Sequence, residues 1–110
     1  ILITGMLDTT VPPGNWNDKS FTTTSDGEAY FYTGASAITE KWANTLLCDT
    51  SIAPEIIELG VGPSLECRSW NDCAGEGAIP PILDCRGSTM GHSYDLDQTW
   101  PLIMRFFNAQ

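Results

Sequence analysis

The 110 residues carry fourteen Asp and Glu against five Lys and Arg, a formal net charge of −9, and are 42% hydrophobic and 17% charged. That balance fits one small globular domain with a single core rather than a disordered segment. The acidic surplus argues against a nucleic-acid interface, which shows a basic face, and against an anionic membrane surface, and no apolar run approaches the roughly 18 residues of a membrane span.

Ile1 to Gly5 is a continuous apolar stretch ending in glycine, the pattern of a strand buried on both faces in a parallel sheet. It has no basic leader before it, and a chain opening inside such a strand is expected to have residues upstream. Thr9 to Gly34 reads as one long polar and aromatic connection with turn signals at Pro12-Pro13-Gly14-Asn15 and Ser25-Asp26-Gly27; connections of that length are often functional. Ser36 to Cys48 is the clearest helix, with Ser36 as its cap and Ile38, Trp42 and Leu46 as its buried stripe, flanked by Ala43 and Leu47. Ile56 to Leu59 fits a short strand or loop. Ser64 to Asn71 and Ile82 to Arg86 read as the strands of a hairpin centred near Glu76. Pro80-Pro81 places the start of the second strand near a sheet edge. A glycine-rich loop, Gly87 to Gly91, leads to His92. A last helix is expected from about Asp97 or Thr99 to Phe107, with Pro101 in its first turn and Leu102, Ile103, Phe106 and Phe107 buried. The order strand, long loop, helix, strands, loop, helix resembles half of a doubly wound α/β sheet.

The cysteines are Cys48, Cys67, Cys73 and Cys85. An even count in a short chain favours two disulfides and an oxidising compartment. Zinc is disfavoured because there is no C-x-x-C pair. The hairpin sets Cys67 opposite Cys85 and leaves Cys73 for Cys48, at the end of the first helix.

Asp8 lies just beyond the carboxyl end of the first strand, and His92 follows the last strand in Met90-Gly91-His92-Ser93. If those strands are parallel, both residues emerge at the same rim, where open α/β sheets build their sites. A carboxylate bonded to an imidazole fixes its tautomer and stabilises the imidazolium that forms when it takes a proton. The plain alternatives are a turn-capping Asp8 and a loop histidine without a role. The aromatic residues Trp16, Phe21, Tyr30, Phe31 and Tyr32 either line a site for a phenolic acyl group or a sugar, or pack the long connection onto the domain; packing is the preferred reading. Met90 either fills a gap or touches substrate, gap-filling being preferred. Asp95 and Asp97 are expected to start the last helix rather than to bind calcium.

Ile1-Leu2-Ile3-Thr4-Gly5-Met6-Leu7-Asp8-Thr9-Thr10-Val11-Pro12 resembles the acid-bearing segment of the polyhydroxybutyrate depolymerase and feruloyl esterase group (carbohydrate esterase family 1 and its relatives), a strand followed by G-x-x-D-x-x-V-P. Met90-Gly91-His92-Ser93-Tyr94 resembles that group's G-H-S-W segment, and Trp42, Cys48, Cys73 and the closing aromatic helix follow its order, so that the likeness spans nearly the whole chain. The resemblance implies an α/β-hydrolase fold, residues 1–110 being the C-terminal part of one such domain, with Asp8 as catalytic acid and His92 as base. Tyr94 stands where the group often has tryptophan, and Asp95 follows where a Pro-Gly turn is usual, so the acyl-group preference is open. Tyr94 and Trp16 are the candidate substrate contacts.

No G-x-S-x-G nucleophile elbow occurs; Ser36 follows Gly34 with one residue between, but Ile38 stands where the second glycine should be, and Ser64 and Ser88 fail likewise. The nucleophile is therefore expected upstream, on the same or a separate chain, and the 110 residues alone are not expected to hydrolyse esters. The expected function is a secreted serine esterase acting on feruloyl or acetyl esters of plant cell-wall xylan, without metal or organic cofactor, its partner being the nucleophile-bearing N-terminal part. A polyhydroxyalkanoate depolymerase and a disulfide-stapled, non-catalytic binding module are the rivals.

Overall fold

A computed structural model of the chain describes residues 1–25, 27–62, 64–75, 77, 79–93 and 95–109. In chain order the elements are β1 (Leu2–Gly5), β2 (Ser20–Ser25), β3 (Glu28–Thr33), α1 (Ala35–Thr45), β4 (Glu55–Ile56), β5 (Leu65–Ser69), β6 (Asp84–Gly87) and α2 (Leu96–Ala109). The fold is mixed α/β. A four-stranded sheet runs in the order β1-β6-β5-β4, and β2 and β3 form a separate antiparallel pair. Only β1 and β6 run parallel in the larger sheet; β6 with β5 and β5 with β4 are antiparallel.

β6 is interior and every one of its residues is buried, which corrects the expectation of an edge. Pro80 and Pro81 precede the paired stretch, so no ladder N–H is lost and the strand pairs on both sides from Asp84 onward. Alternation along β6 then divides the sheet into two faces. Cys85 lies on one face opposite Cys67, its register partner and its disulfide partner. That face meets Leu65, Leu83, Met90 and, from α2, Leu102 and Phe106 to form the larger core. Asp84 and Arg86 lie on the other face, which α1 covers, and there Ala43, Trp70, Ile82 and the Cys48–Cys73 bridge make a second cluster. The bridge ties the end of α1 to the connection between β5 and β6. Glu76, taken as the hairpin centre, lies outside the described residues.

Two helix expectations change. α1 starts one residue earlier, with Gly34 as cap and no side-chain cap bond. Ser36 is inside the helix, where its hydroxyl donates to the Trp16 carbonyl at 2.5 Å and accepts from Arg86 Nη2 at 2.6 Å. The buried face of α1 is the small one, Ala35, Ser36, Thr39 and Ala43, while Ile38 and Trp42 stay exposed at 39% and 60%. Small side chains let the helix approach the sheet over the Arg86 network, and the bulky stripe is turned aside. It lines, with Leu2, Leu46, Phe106 and Phe107, an apolar cleft of about 690 Å³ beside β1. α2 starts at Leu96, so Pro101 falls in its second turn rather than its first. The carbonyl that loses its donor is that of exposed Asp97, and the ring itself faces outward. Leu102 and Phe106 are buried as the periodicity predicts, whereas Phe107 is exposed.

The connection from Thr9 to Gly34, read as a loop, contains the β2–β3 hairpin, with Phe21 opposite Tyr32 and Thr23 opposite Tyr30. Runs rich in threonine and aromatic residues flank an Asp-Gly pair in the sequence, which is a hairpin signal.

Candidate active site

The parallel pairing of β1 with β6 aligns their carboxyl ends, and the two loops that leave them are bound to each other. Met6 N–H donates to Gly87 O at 2.9 Å and Leu7 N–H to Met90 O at 2.9 Å. Two glycines make this approach possible. A Cβ on Gly5 would strike the carbonyls of Met90 and Gly91, and one on Gly87 would strike the Met90 side chain. Met90 is itself a core residue, 6% exposed, so the loop carrying His92 is anchored from below.

Asp8 and His92, eighty-four positions apart, meet at this rim. His92 Nδ1 lies 3.1 Å from Asp8 Oδ2 and 3.3 Å from Oδ1. The tight turn after β1 fixes the carboxylate: Asp8 N–H donates to Gly5 O, and Asp8 Oδ1 accepts the N–H groups of Thr10 at 2.8 Å and Val11 at 2.9 Å. Burial pushes the Asp8 carboxyl upward, but the Val11 N–H, the His92 ring and the Thr10 N–H outweigh it, and the group sits below the ordinary aspartate value. An ionised carboxylate only accepts, so His92 Nδ1 carries the proton and Nε2 is left as an acceptor. The Asp8 side chain is 10% exposed and that of His92 65%; among the described residues nothing hydrogen-bonds to Nε2. The pair borders a cleft of about 280 Å³ whose other walls include Thr4, Gly5, Val11, Met90, Gly91 and Ser93. A shielded carboxylate holding an open imidazole in one tautomer is equipped to take a proton from an incoming hydroxyl.

The serines are engaged elsewhere. Ser36 serves Trp16 and Arg86, Ser64 donates to Gln98 Oε1 at 2.7 Å, and Ser88 donates to Ser64 O at 3.2 Å. Among the described residues no serine is hydrogen-bonded to His92.

Trp16 is not brought to this cleft. Its ring lies against the guanidinium groups of Arg86 and Arg68, 3.8 Å and 4.0 Å from the centroid, and it lines a separate pocket of about 250 Å³ with Ser36, Glu40, Ile52 and Trp70. Tyr94, the other candidate substrate contact, lies outside the described residues. Asp95 starts α2 rather than joining a metal cluster: its Oδ1 accepts the Asp97 N–H at 3.2 Å and its backbone carbonyl the Thr99 N–H at 2.8 Å. Among the described residues no group of three or more His, Cys, Asp or Glu side chains is placed to hold a metal ion, and no helix is long and apolar enough to cross a membrane.

Tyr32, for which the sequence favours packing over lining a substrate site, reaches the acid loop itself: from the hairpin its hydroxyl donates to the Thr10 carbonyl at 2.7 Å. The Asp-Gly pair that signals the hairpin is the sequence feature that leads to it.

Comparison with known proteins found no matching family model, no similar curated protein and no solved structure of matching fold.

Proposed function

We propose that the chain supplies the acid and base of a Ser-His-Asp triad in a secreted carboxylic ester hydrolase of the α/β-hydrolase class. The observation that carries this reading is the 3.1 Å approach of Asp8 Oδ2 to His92 Nδ1 at a shared strand rim, with the exposed His92 ring bordering a cleft. A serine outside these 110 residues, on the same polypeptide or another, attacks the ester carbonyl. His92 takes its proton through Nε2, returns it to the leaving alcohol, and then activates the water that clears the acyl-enzyme; Asp8 holds the ring and stabilises the imidazolium. The two disulfides suit an oxidising, extracellular setting. The likeness to the feruloyl esterase and polyhydroxybutyrate depolymerase group favours feruloyl or acetyl esters of plant cell-wall xylan as substrates, with polyhydroxyalkanoate as the second class.

The apolar cleft beside β1 supports a partner reading over a self-contained binding module. Among the described residues β1 is paired on one side only, and Ile38, Trp42 and Phe107 stand exposed next to it. A nucleophile-bearing N-terminal part adding strands at this edge would cover all of them.

The test is labelling of the intact enzyme with a serine-directed phosphonate, followed by peptide mapping. The label is expected on a serine outside this chain segment, and His92→Ala is expected to lower turnover by about three orders of magnitude or more while leaving the fold intact. Labelling at Ser36, Ser64 or Ser88, or unchanged turnover in His92→Ala, would remove the triad.

A further inference from the structure

The β2–β3 hairpin grips the acid loop at two points. Tyr32 Oη donates to the Thr10 carbonyl at 2.7 Å. The Tyr32 ring stacks on Phe21, centroids 5.6 Å apart and planes 19° from parallel. Phe21 in turn lies so close to Gly14, whose φ is +74°, that a Cβ there would meet its ring. The chain between Thr10 and Gly14 is therefore held from the hairpin side while the Thr10 and Val11 N–H groups donate to Asp8.

The covalent connection matters more than the proximity. The carbonyl that receives the Tyr32 hydroxyl and the Val11 N–H that donates to Asp8 Oδ1 at 2.9 Å belong to one peptide group. A planar amide conducts polarisation from end to end. A donor on its oxygen makes its N–H a better donor, by about 10–30% per bond in a chain. The series then runs from Tyr32 through the Thr10–Val11 peptide to Asp8, and from Asp8 to His92 Nδ1.

We propose that Tyr32 is a positioning residue for Asp8, orienting and polarising the Thr10–Val11 peptide that holds the carboxylate against His92. The inference rests on reading Asp8 and His92 as acid and base, but its test does not depend on turnover. Among the described residues His92 is the ionisable group that faces and perturbs Asp8, so the titration has one partner to account for.

The experiment compares the Asp8 carboxyl titration, followed by carbon NMR of the side chain, in the intact protein and in its Tyr32→Phe and Tyr30→Phe variants. Tyr32→Phe keeps the ring and its stacking and removes only the hydroxyl. Tyr30 donates to Glu28 at 3.0 Å, outside the series, and serves as control. The Asp8 midpoint is expected to rise toward the ordinary aspartate value in Tyr32→Phe and to stay put in Tyr30→Phe. Where turnover is measurable, kcat should fall about fivefold at constant KM, the worth of one neutral hydrogen bond. An unchanged Asp8 midpoint in Tyr32→Phe, or an equal rise in both variants, overturns the assignment. If the midpoint rises but Asp8→Asn retains full turnover, the positioning stands and the triad reading fails instead.

Discussion

At the scale of single residues, the Asp8 carboxylate is held by three groups. Its Oδ1 accepts two backbone N–H groups and its Oδ2 faces an imidazole. These bonds favour the ionised form against the burial that opposes it, so the folded carboxyl titrates below the unfolded one. The sign of the linkage follows. The stabilisation from this charge is fully present above the unfolded value of about 3.9 and is lost as pH falls through the lower folded value. Chemical denaturation of the wild type and Asp8→Asn from about pH 7 down to about pH 2 should give a constant difference in the upper part of that range and a shrinking one in the acid limb. A difference that persists at the acid end would mean that Asp8 is not held ionised by its neighbours. In turnover the same variant should lose about three to four orders of magnitude, because a carboxamide can donate to Nδ1 and set the wrong tautomer.

At the scale of elements, Arg86 connects what the sheet alone does not. From the buried face of β6 it makes a two-point pair with Asp84, Nε to Oδ1 at 3.2 Å and Nη2 to Oδ2 at 2.9 Å. It also donates to Gly14 O at 2.9 Å and to Ser36 Oγ at 2.6 Å, and stacks on Trp16. One guanidinium thus joins the central strand, the start of α1 and the loop before the hairpin. Removing it strands a buried carboxylate: Arg86→Met should destabilise by about 3–5 kcal/mol, and adding Asp84→Leu should recover a substantial part. Equal stabilities of wild type and Arg86→Met in urea denaturation would show the network to be idle. This hub was not legible in the sequence, where Asp84 and Arg86 are two polar residues in an ordinary strand. Periodicity reports which positions are apolar and is silent on a charge that is buried because it is paired. The same limit explains α1, whose bulky stripe reads as the buried face although the sheet is met by Ala35, Ser36, Thr39 and Ala43. Strands β1, β5 and β6, the hairpin register of Cys67 with Cys85 and the placement of Asp8 and His92 after strand ends were legible, because they rest on local apolar runs, turn residues and chain order. The β2–β3 hairpin was missed: the Asp26-Gly27 pair is a turn signal in the sequence, but the Thr- and Ser-rich run before it lacks the apolar alternation that marks a strand.

At the scale of the whole molecule, the two disulfides sit on opposite faces of the larger sheet. Cys48–Cys73 joins the end of α1 to the β5–β6 connection, and Cys67–Cys85 crosses from β5 to β6 under α2. Cys85 stands in register with Ile3 of β1, whereas the Cys48–Cys73 bridge lies on the opposite face of the sheet. The bridged cysteines are 25 and 18 positions apart. Loops of that size are worth about 3 kcal/mol each in the chain-entropy account. Domains of this length have a net stability of about 5–15 kcal/mol, so the bridges are comparable to the whole margin. The apolar cleft beside β1, which among the described residues is paired on one side only, leaves apolar surface uncovered, which makes that comparison tighter still. Replacing one pair, Cys48→Ala with Cys73→Ala, should lower stability by about 3 kcal/mol and leave a cooperative transition. Full reduction should abolish that transition near room temperature, as followed by circular dichroism in urea. A reduced protein as stable as the oxidised one would shift the weight of the fold onto its two hydrophobic clusters, and would remove the need for an oxidising compartment from the proposed function.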